Sequence, residues 1–406
     1  MILLSHPSGN TFVRALLTTL EEAQLLSAYH TTLAVQKNSP YLNLLPANLR
    51  QELLRRTYDL PPTRIHPHPL RELVRLIAPR LGARFLTTHE TGWASVDGVY
   101  QGLDRSVAHA LKTQDVRAVY CYEDAALATF EQAKKQGVAC IYDLPIAYWQ
   151  TSQRLLQEEA QRLPLWEPTL VGTRDSQAKL ERKTAELALA DVVVTPSGFV
   201  HSSLPQAQQA KGVVAEFGSP TPPVTSRPAR PQGPLRLLFA GSLTQRKGLA
   251  DVFSAVGLLR RRDIELVVMG SPVLPLEFYR SQCSTFTYET TRPHAQVLEL
   301  MQACDVFILP SLVEGRALVQ QEALSCGLPL IVTAHAGAED LIVEGETGFL
   351  VPIRSPEAIA EKIAWFADHR DALEAMRPLA QHQAAKLTWA TYGQKIVDAI
   401  HARVGA

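Results

Sequence analysis

The chain reads as an α/β protein with two parallel, doubly wound sheets, and three observations predict it. Apolar segments of strand length alternate with amphipathic helical segments through most of the 406 residues. A break occupies Ser219–Pro234, SPTPPVTSRPARPQGP, where six prolines in sixteen residues forbid a regular element. Beyond that break the alternation starts again. The length suits two to three domains, and 46% hydrophobic residues can fill more than one core.

In the first half the predicted strands are Ile2–Ser5, Thr31–Val35, Ala118–Cys121, Val138–Tyr142, Val192–Thr195 and Val213–Glu216. Helical patterns such as Thr11–Ser27 and Ala125–Gln136 separate most of them. The second half predicts strand Leu235–Ala240, helix Leu249–Arg261, strands Ile264–Met269 and Thr285–Tyr288, and helix His294–Ala303. Strand Asp305–Leu309, a helix reaching Ser325 and strand Leu328–Val332 follow. The tail, LTWATYG and then KIVDAIHARV, is an amphipathic terminal helix. The expected division is therefore a domain over 1–218, a linker over 219–234, a domain over 235–387 and a last helix over 388–406.

Forty basic and forty acidic residues leave no net formal charge, so no nucleic-acid partner is indicated and the partner is expected to be small. The opening run ILLSH is too short for a signal segment or a membrane span and reads as a first strand. Five cysteines stand singly with no CxxC pair, which suits buried thiols in a reducing cytoplasm.

The most informative stretch is VFILPSLVEGRALVQQEALSCGLPLIVT, which carries Glu314 and Glu322 eight positions apart. Strand Val306–Leu309 runs into Pro310-Ser311 and then into a helix expected to begin near Gly315. Eight helical residues rise about 12 Å, which would put both carboxylates on nearly one face at different depths. That suits a ligand with two polyol ends, its phosphates held by unpaired N–H groups between them, although two solvated helix positions would show the same spacing.

In this strand–helix–strand setting the pair resembles the retaining nucleotide-sugar glycosyltransferases of family 4, whose signature is Glu, seven residues, Glu. The resemblance is strong over about Leu235–Pro352 and thin over residues 1–215. It implies the GT-B fold: two Rossmann-like domains facing across a cleft, the C-terminal one holding most of the donor and the last helix packing back on the N-terminal one. It further implies a retaining, metal-independent hexosyl transfer from a UDP- or GDP-linked sugar to a hydroxyl of a glycan, lipid-linked or small-molecule acceptor. The nucleotide sugar is a substrate, and no cofactor is implied. By the same resemblance Glu314 would hold the transferred sugar and Glu322 the nucleotide ribose.

Strand LRLLFA ends at Gly241-Ser242, and Arg246-Lys247-Gly248 opens the next helix, placing two cations beside backbone donors. The family lines its donor diphosphate with this segment, which makes Arg246 and Lys247 the expected stabilisers of leaving-group charge. Many members carry an arginine where this chain has Ser242. Between the glutamates the family's Gly-Phe-Gly is replaced by Gly315-Arg316-Ala317, followed by Leu318, so a charged side chain is expected beside the sugar pocket. Tyr288 marks where backbone groups would meet the base.

In the first half, Gly9 and Asn10 follow the first strand, either as a loop lining the donor site or as a plain turn with Asn10 as N-cap. Asp143 in IYDLPIAYW stands where many members carry histidine. It either meets the sugar or acceptor, or caps a helix begun by Pro145. The pair His66-Pro67-His68 invites a metal reading, but no further ligand lies near in sequence, and no metal is expected. Arg50 to Arg84 holds eight arginines against three acids, a solvated face or a contact for an anionic acceptor or the inner face of a membrane. A GT-B epimerase and a non-catalytic nucleotide-sugar-binding subunit remain as alternatives.

Overall fold

The computed structural model describes the chain except residues 37–41, 43–49, 51, 52, 171, 173, 221–232, 405 and 406. The greater part of the expected 219–234 linker lies outside the described residues.

The first sheet comprises β1 (Ile2–Ser5), β2 (Leu26–Thr31), β3 (Ile65–Pro67), β4 (Ala118–Tyr122), β5 (Ala139–Asp143), β6 (Val192–Thr195) and β7 (Gly212–Val214). Its order is β3-β2-β1-β4-β5-β6-β7, with every pair parallel. The second comprises β8 (Leu235–Ala240), β9 (Ile264–Met269), β10 (Thr287–Glu289), β11 (Val306–Leu309), β12 (Leu330–Val332) and β13 (Gly348–Leu350). Its order is β10-β9-β8-β11-β12-β13, again parallel throughout. Helices cover both faces, so runs such as VVVT and VFIL are buried at every position.

Three expectations need correction. The second strand is Leu26–Thr31, not Thr31–Val35. The first helix stops at Glu22, because Gln24 adopts φ 57° and the Leu25 N–H closes on the Leu20 carbonyl at 2.8 Å, which turns the chain into the sheet early. The helix after β11 begins at Leu318, not near Gly315. Residues 311–317 form a buried loop instead, pinned where the Leu312 N–H donates to the Arg246 carbonyl (2.8 Å) and the Glu314 N–H to the His335 carbonyl (3.1 Å). The segment at His66-Pro67, by contrast, is extended as expected and forms an edge strand, a place that tolerates proline.

Each sheet reverses its strand order once, between β1 and β4 and between β8 and β11, and open α/β sheets bind ligands outside the strand ends at such points. The loops leaving those four strands carry Gly9 and Asn10, Glu123 and Asp124, Gly241 to Lys247, and Ser311 to Ala317.

Chain segments cross between the two halves. Helix Trp389–Val404 returns to the first sheet, where Tyr392, Ile396, Val397 and Ile400 join its core. Trp166 travels the other way and packs among Phe253, Phe278 and Tyr279. Leu312 and Val313 enter the core beneath β4 and β5. A buried polar network reinforces this: Arg162 donates to Glu159 (2.6 Å) and Asp251 (2.7 Å), and Arg354 donates to Glu159 (2.8 Å).

Candidate active site

Gly241 directly follows β8 with φ 150°, and a Cβ there would stand 2.9 Å from Lys247 Cδ, so glycine opens the channel in which the lysine lies. The turn Gln245–Lys247 follows. At the start of helix Leu249–Leu259 one donor is already taken, because Gln245 Oε1 accepts the Ala250 N–H at 2.8 Å. The open helix start is that of Leu318–Ser325, whose first amides have no partner within the helix.

Arg246 and Lys247 both reach Glu314 Oε1, at 2.9 Å and 2.5 Å, and Arg246 also donates to the Val313 carbonyl at 2.7 Å. Burial pushes the Glu314 carboxyl upward, but the two cations outweigh it and hold the group below its ordinary value. Glu322 sits one helical segment away, its Oε1 3.0 Å from His294 Nε2. Since Glu314 lies in the loop, the spacing of the pair is not the helical rise expected from sequence.

Three cavities meet around Leu318. One of 410 Å³ is lined by Gly241, Ser242, Lys247, Gly270, Ala317, Leu318 and Glu322. One of 510 Å³ lies between the halves, with Arg246, Glu314, Gly315, Arg316 and Leu318 on one wall and Tyr122, Glu123, Asp124 and Ile146 on the other. The third, of 690 Å³, touches Gly9, Asn10 and Leu318. Gly315 holds the walls close: a Cβ on it would stand 1.7 Å from the Pro145 carbonyl oxygen, and its own carbonyl accepts the Ser197 hydroxyl at 2.7 Å.

Of four further predicted residues, Arg316 departs from expectation, and Asp143, Asn10 and Tyr288 take the places given next. The Arg316 side chain is fully buried, its guanidinium forked onto both Asp340 oxygens at 2.7 and 2.8 Å, so the charge is turned into the domain and away from the cleft. Asp143 ends β5 in a buried position beside Tyr120, with Oδ2 lacking a hydrogen-bond partner among the described residues. Burial pushes its carboxyl up to about 7. Asp143 caps no helix, since the next one begins at Trp149 with Tyr148 preceding it. Asn10 occupies the N-cap position, but its side chain makes no capping bond. The Tyr288 hydroxyl donates to the carbonyl of Gly270, a residue of the cavity wall, at 2.9 Å.

Glu123 and Asp124 were not picked out from the sequence, yet they face Arg246 across the cleft cavity. Burial raises the Glu123 carboxyl to about 6, against the opposing charge of Lys183 at 3.3 Å. Their signal was available: an acidic pair directly after a buried strand, at a strand end in a parallel sheet. His294, at the edge of the Glu322 cavity, was also missed.

Residues 225–383 match the model of the family described as "Glycosyl transferases group 1". A putative colanic acid biosynthesis glycosyltransferase, WcaL, of Salmonella typhimurium LT2 is 28% identical over 192 residues, covering 43% of this chain and 47% of that protein. A D-inositol 3-phosphate glycosyltransferase of Paenarthrobacter aurescens is 30% identical over 174 residues, covering 40% and 42%. The aligned part thus spans less than half the length of these relatives. Among solved structures, Anabaena Alr3699/HepE in complex with UDP superposes with a TM-score of 0.62 at 15% identity over 99% of both chains. Sucrose-phosphate synthase of Thermosynechococcus elongatus gives 0.66 at 16% identity over 99% of this chain and 98% of that one. The fold is GT-B, and the glycosyltransferase resemblance read from the C-terminal half is matched by family model and relatives alike.

Proposed function

We propose that the protein is a retaining glycosyltransferase that moves a hexose-type sugar from a nucleoside-diphosphate sugar to a hydroxyl acceptor. The observation that carries this reading is the meeting of Arg246, Lys247, Glu314 and the open start of helix Leu318–Ser325 beside a cavity whose far wall holds Glu322. Two cations and a helix start suit a diphosphate, and carboxylates at either end suit the hydroxyls of a ribose and of a sugar. On this reading Glu314 balances the two cations until the donor arrives, then turns to the sugar. Arg246 and Lys247 take up the charge that develops on the departing diphosphate, which in turn accepts the acceptor proton.

The charge that a divalent ion would supply is assigned here to those two side chains, so we read the reaction as metal-independent. Glu123 and Asp124 form the acceptor-side wall. The relatives' names and the UDP bound to the Anabaena protein favour a nucleotide-sugar donor, without fixing base, sugar or acceptor. The cellular setting we assign is the cytoplasm, with peripheral membrane contact through exposed Leu70, Leu81 and Phe85 among arginines. No helix among the described residues is long and apolar enough to cross a membrane.

Incubation with a panel of uridine- and guanosine-linked sugars, with and without chelator, tests the proposal. Release of free nucleoside diphosphate from one donor, undiminished by chelator, is expected. A requirement for manganese or magnesium would overturn the metal-independent part, and failure to bind or turn over any nucleotide sugar would overturn the whole.

A further inference from the structure

A second built pocket lies on the flank of the first sheet. Strands β2 and β3 pair so that His30 stands opposite His66, and the rings stack with centroids 4.8 Å apart. His68 lies beside His30 with the ring centroids 5.3 Å apart and His30 Nδ1 3.0 Å from His68 Nε2. Helix Leu70–Ile77 adds Arg71, and helix Val96–Leu111 adds Arg105 and His109. Together they line a cavity of 720 Å³ with no carboxylate in its wall, and none of its residues borders the cavities around Glu314 and Glu322.

Two guanidinium groups and four protonatable rings face one space with no carboxylate among them, so the positive charge they carry or take up there is offset only if something negative enters. The local contacts show that the imbalance is not relieved within the described residues. Arg71 rests over the Trp93 ring at 4.5 Å and donates to the Trp93 carbonyl, neither of which is an anion. Arg105 is exposed and makes no ion pair with a described residue. His30 is buried, and its Nε2 has no hydrogen-bond partner among the described residues. A metal reading fits less well, because only His30 Nδ1 and His68 Nε2 approach each other, and the three histidines do not gather one nitrogen each around a common centre. The histidines accordingly are absent from the one described His, Cys, Asp or Glu group able to converge on an ion, which is His89, Glu90 and Asp175.

We infer that this pocket is an anion site for a phosphate-bearing small molecule, held by the Arg71 and Arg105 guanidinium groups and by the ring nitrogens of His30, His66 and His68. Guanidinium forks match phosphate oxygens, and the volume leaves room for the body that carries the phosphate. The inference rests on none of the donor chemistry proposed for the cleft. It carries a pH dependence whose sign follows from the wall. In the empty pocket, burial and the neighbouring histidines hold His30 down to about 3, and His68 is lowered for the same reasons. A bound anion favours the protonated rings, so binding takes up protons and strengthens as pH falls.

Ring nitrogen NMR of the whole protein, titrated with inorganic pyrophosphate and separately with sulfate, tests this. Sulfate keeps its charge between about pH 6 and about pH 8, so any pH effect belongs to the protein. Saturable shifts are expected at His30, His66 and His68, stronger at the lower pH. They should be weakened roughly tenfold by Arg105→Ala or His66→Gln and unchanged by Arg84→Ala outside the pocket. Absence of a saturable response, or a response indifferent to Arg105→Ala and His66→Gln, would overturn the assignment. So would Arg105-dependent capture by phosphatidylglycerol vesicles, but not phosphatidylcholine vesicles, without any response to sulfate, since the surface would then serve a membrane.

Discussion

Replacing Glu314 with glutamine keeps the size of the side chain and removes the charge that Arg246 and Lys247 share. In the wild type both cations reach one oxygen, at 2.9 Å and 2.5 Å, and Lys247 is 9% exposed. Stripping one partner from a buried pair costs about 3–5 kcal/mol because the remaining charge is left uncompensated. The Arg246 side chain is 28% exposed, so water stabilises part of what is lost, and the lower end, about 3 kcal/mol, is the expectation. Denaturant unfolding of Glu314→Gln beside wild type measures it. The same substitution should act in the opposite direction on the bare nucleoside diphosphate, because the cations no longer need to be pulled from a carboxylate. Calorimetry should find that binding unchanged or up to about tenfold tighter, while sugar transfer falls roughly 100-fold. Loss of diphosphate binding in step with transfer would refute the reasoning, because Glu314 would then be a diphosphate contact. Unchanged stability and transfer would reduce the cluster to a surface ion pair.

Glu322→Ala should fail differently, weakening the bare nucleoside diphosphate by about 1–3 kcal/mol through lost ribose hydrogen bonds; calorimetry that finds wild-type affinity would remove Glu322 from the site. Asp143 gives a pH test: its folded value, about 7, stands above the ordinary carboxylate value, so the ionised form is disfavoured by folding and stability contributed by this group falls as pH rises between those two values. Asp143→Asn should therefore gain stability relative to wild type from about pH 4 to about pH 7, and parallel stability–pH curves for the two proteins would contradict the buried placement.

Much of the sheet framework was legible because buried parallel strands read as unbroken apolar runs. Leu235–Ala240 and Ile264–Met269 were predicted with the limits they have, and Ile2–Ser5 and Val192–Thr195 likewise. What escaped was set by contacts distant in sequence. The loop 311–317 stays irregular because Arg246 and His335 carbonyls claim its amides, and neither partner is near it in the chain. Arg316 was read as a cleft charge, but Asp340, twenty-four residues on, draws it into the domain. Trp166 belongs by order to the first half and by packing to the second. In the candidate site, the residues singled out because a glycine or a cation followed a strand all lie on loops at the order reversals, as do Glu123 and Asp124, whose acidic pair after a strand was legible but whose place opposite Arg246 depends on how the two sheets face each other.

The proposed chemistry requires a donor diphosphate to bind at Arg246, Lys247 and the start of helix Leu318–Ser325. A crystal structure with whichever of uridine, guanosine or adenosine diphosphate binds most tightly tests it most directly. Both phosphates are expected within hydrogen-bond distance of Arg246, Lys247 and the Leu318 and Val319 amides, with the ribose hydroxyls on Glu322 in place of His294. A nucleotide bound elsewhere, or bound with the Arg246–Lys247–Glu314 cluster closed and Glu322 still paired to His294, would contradict it.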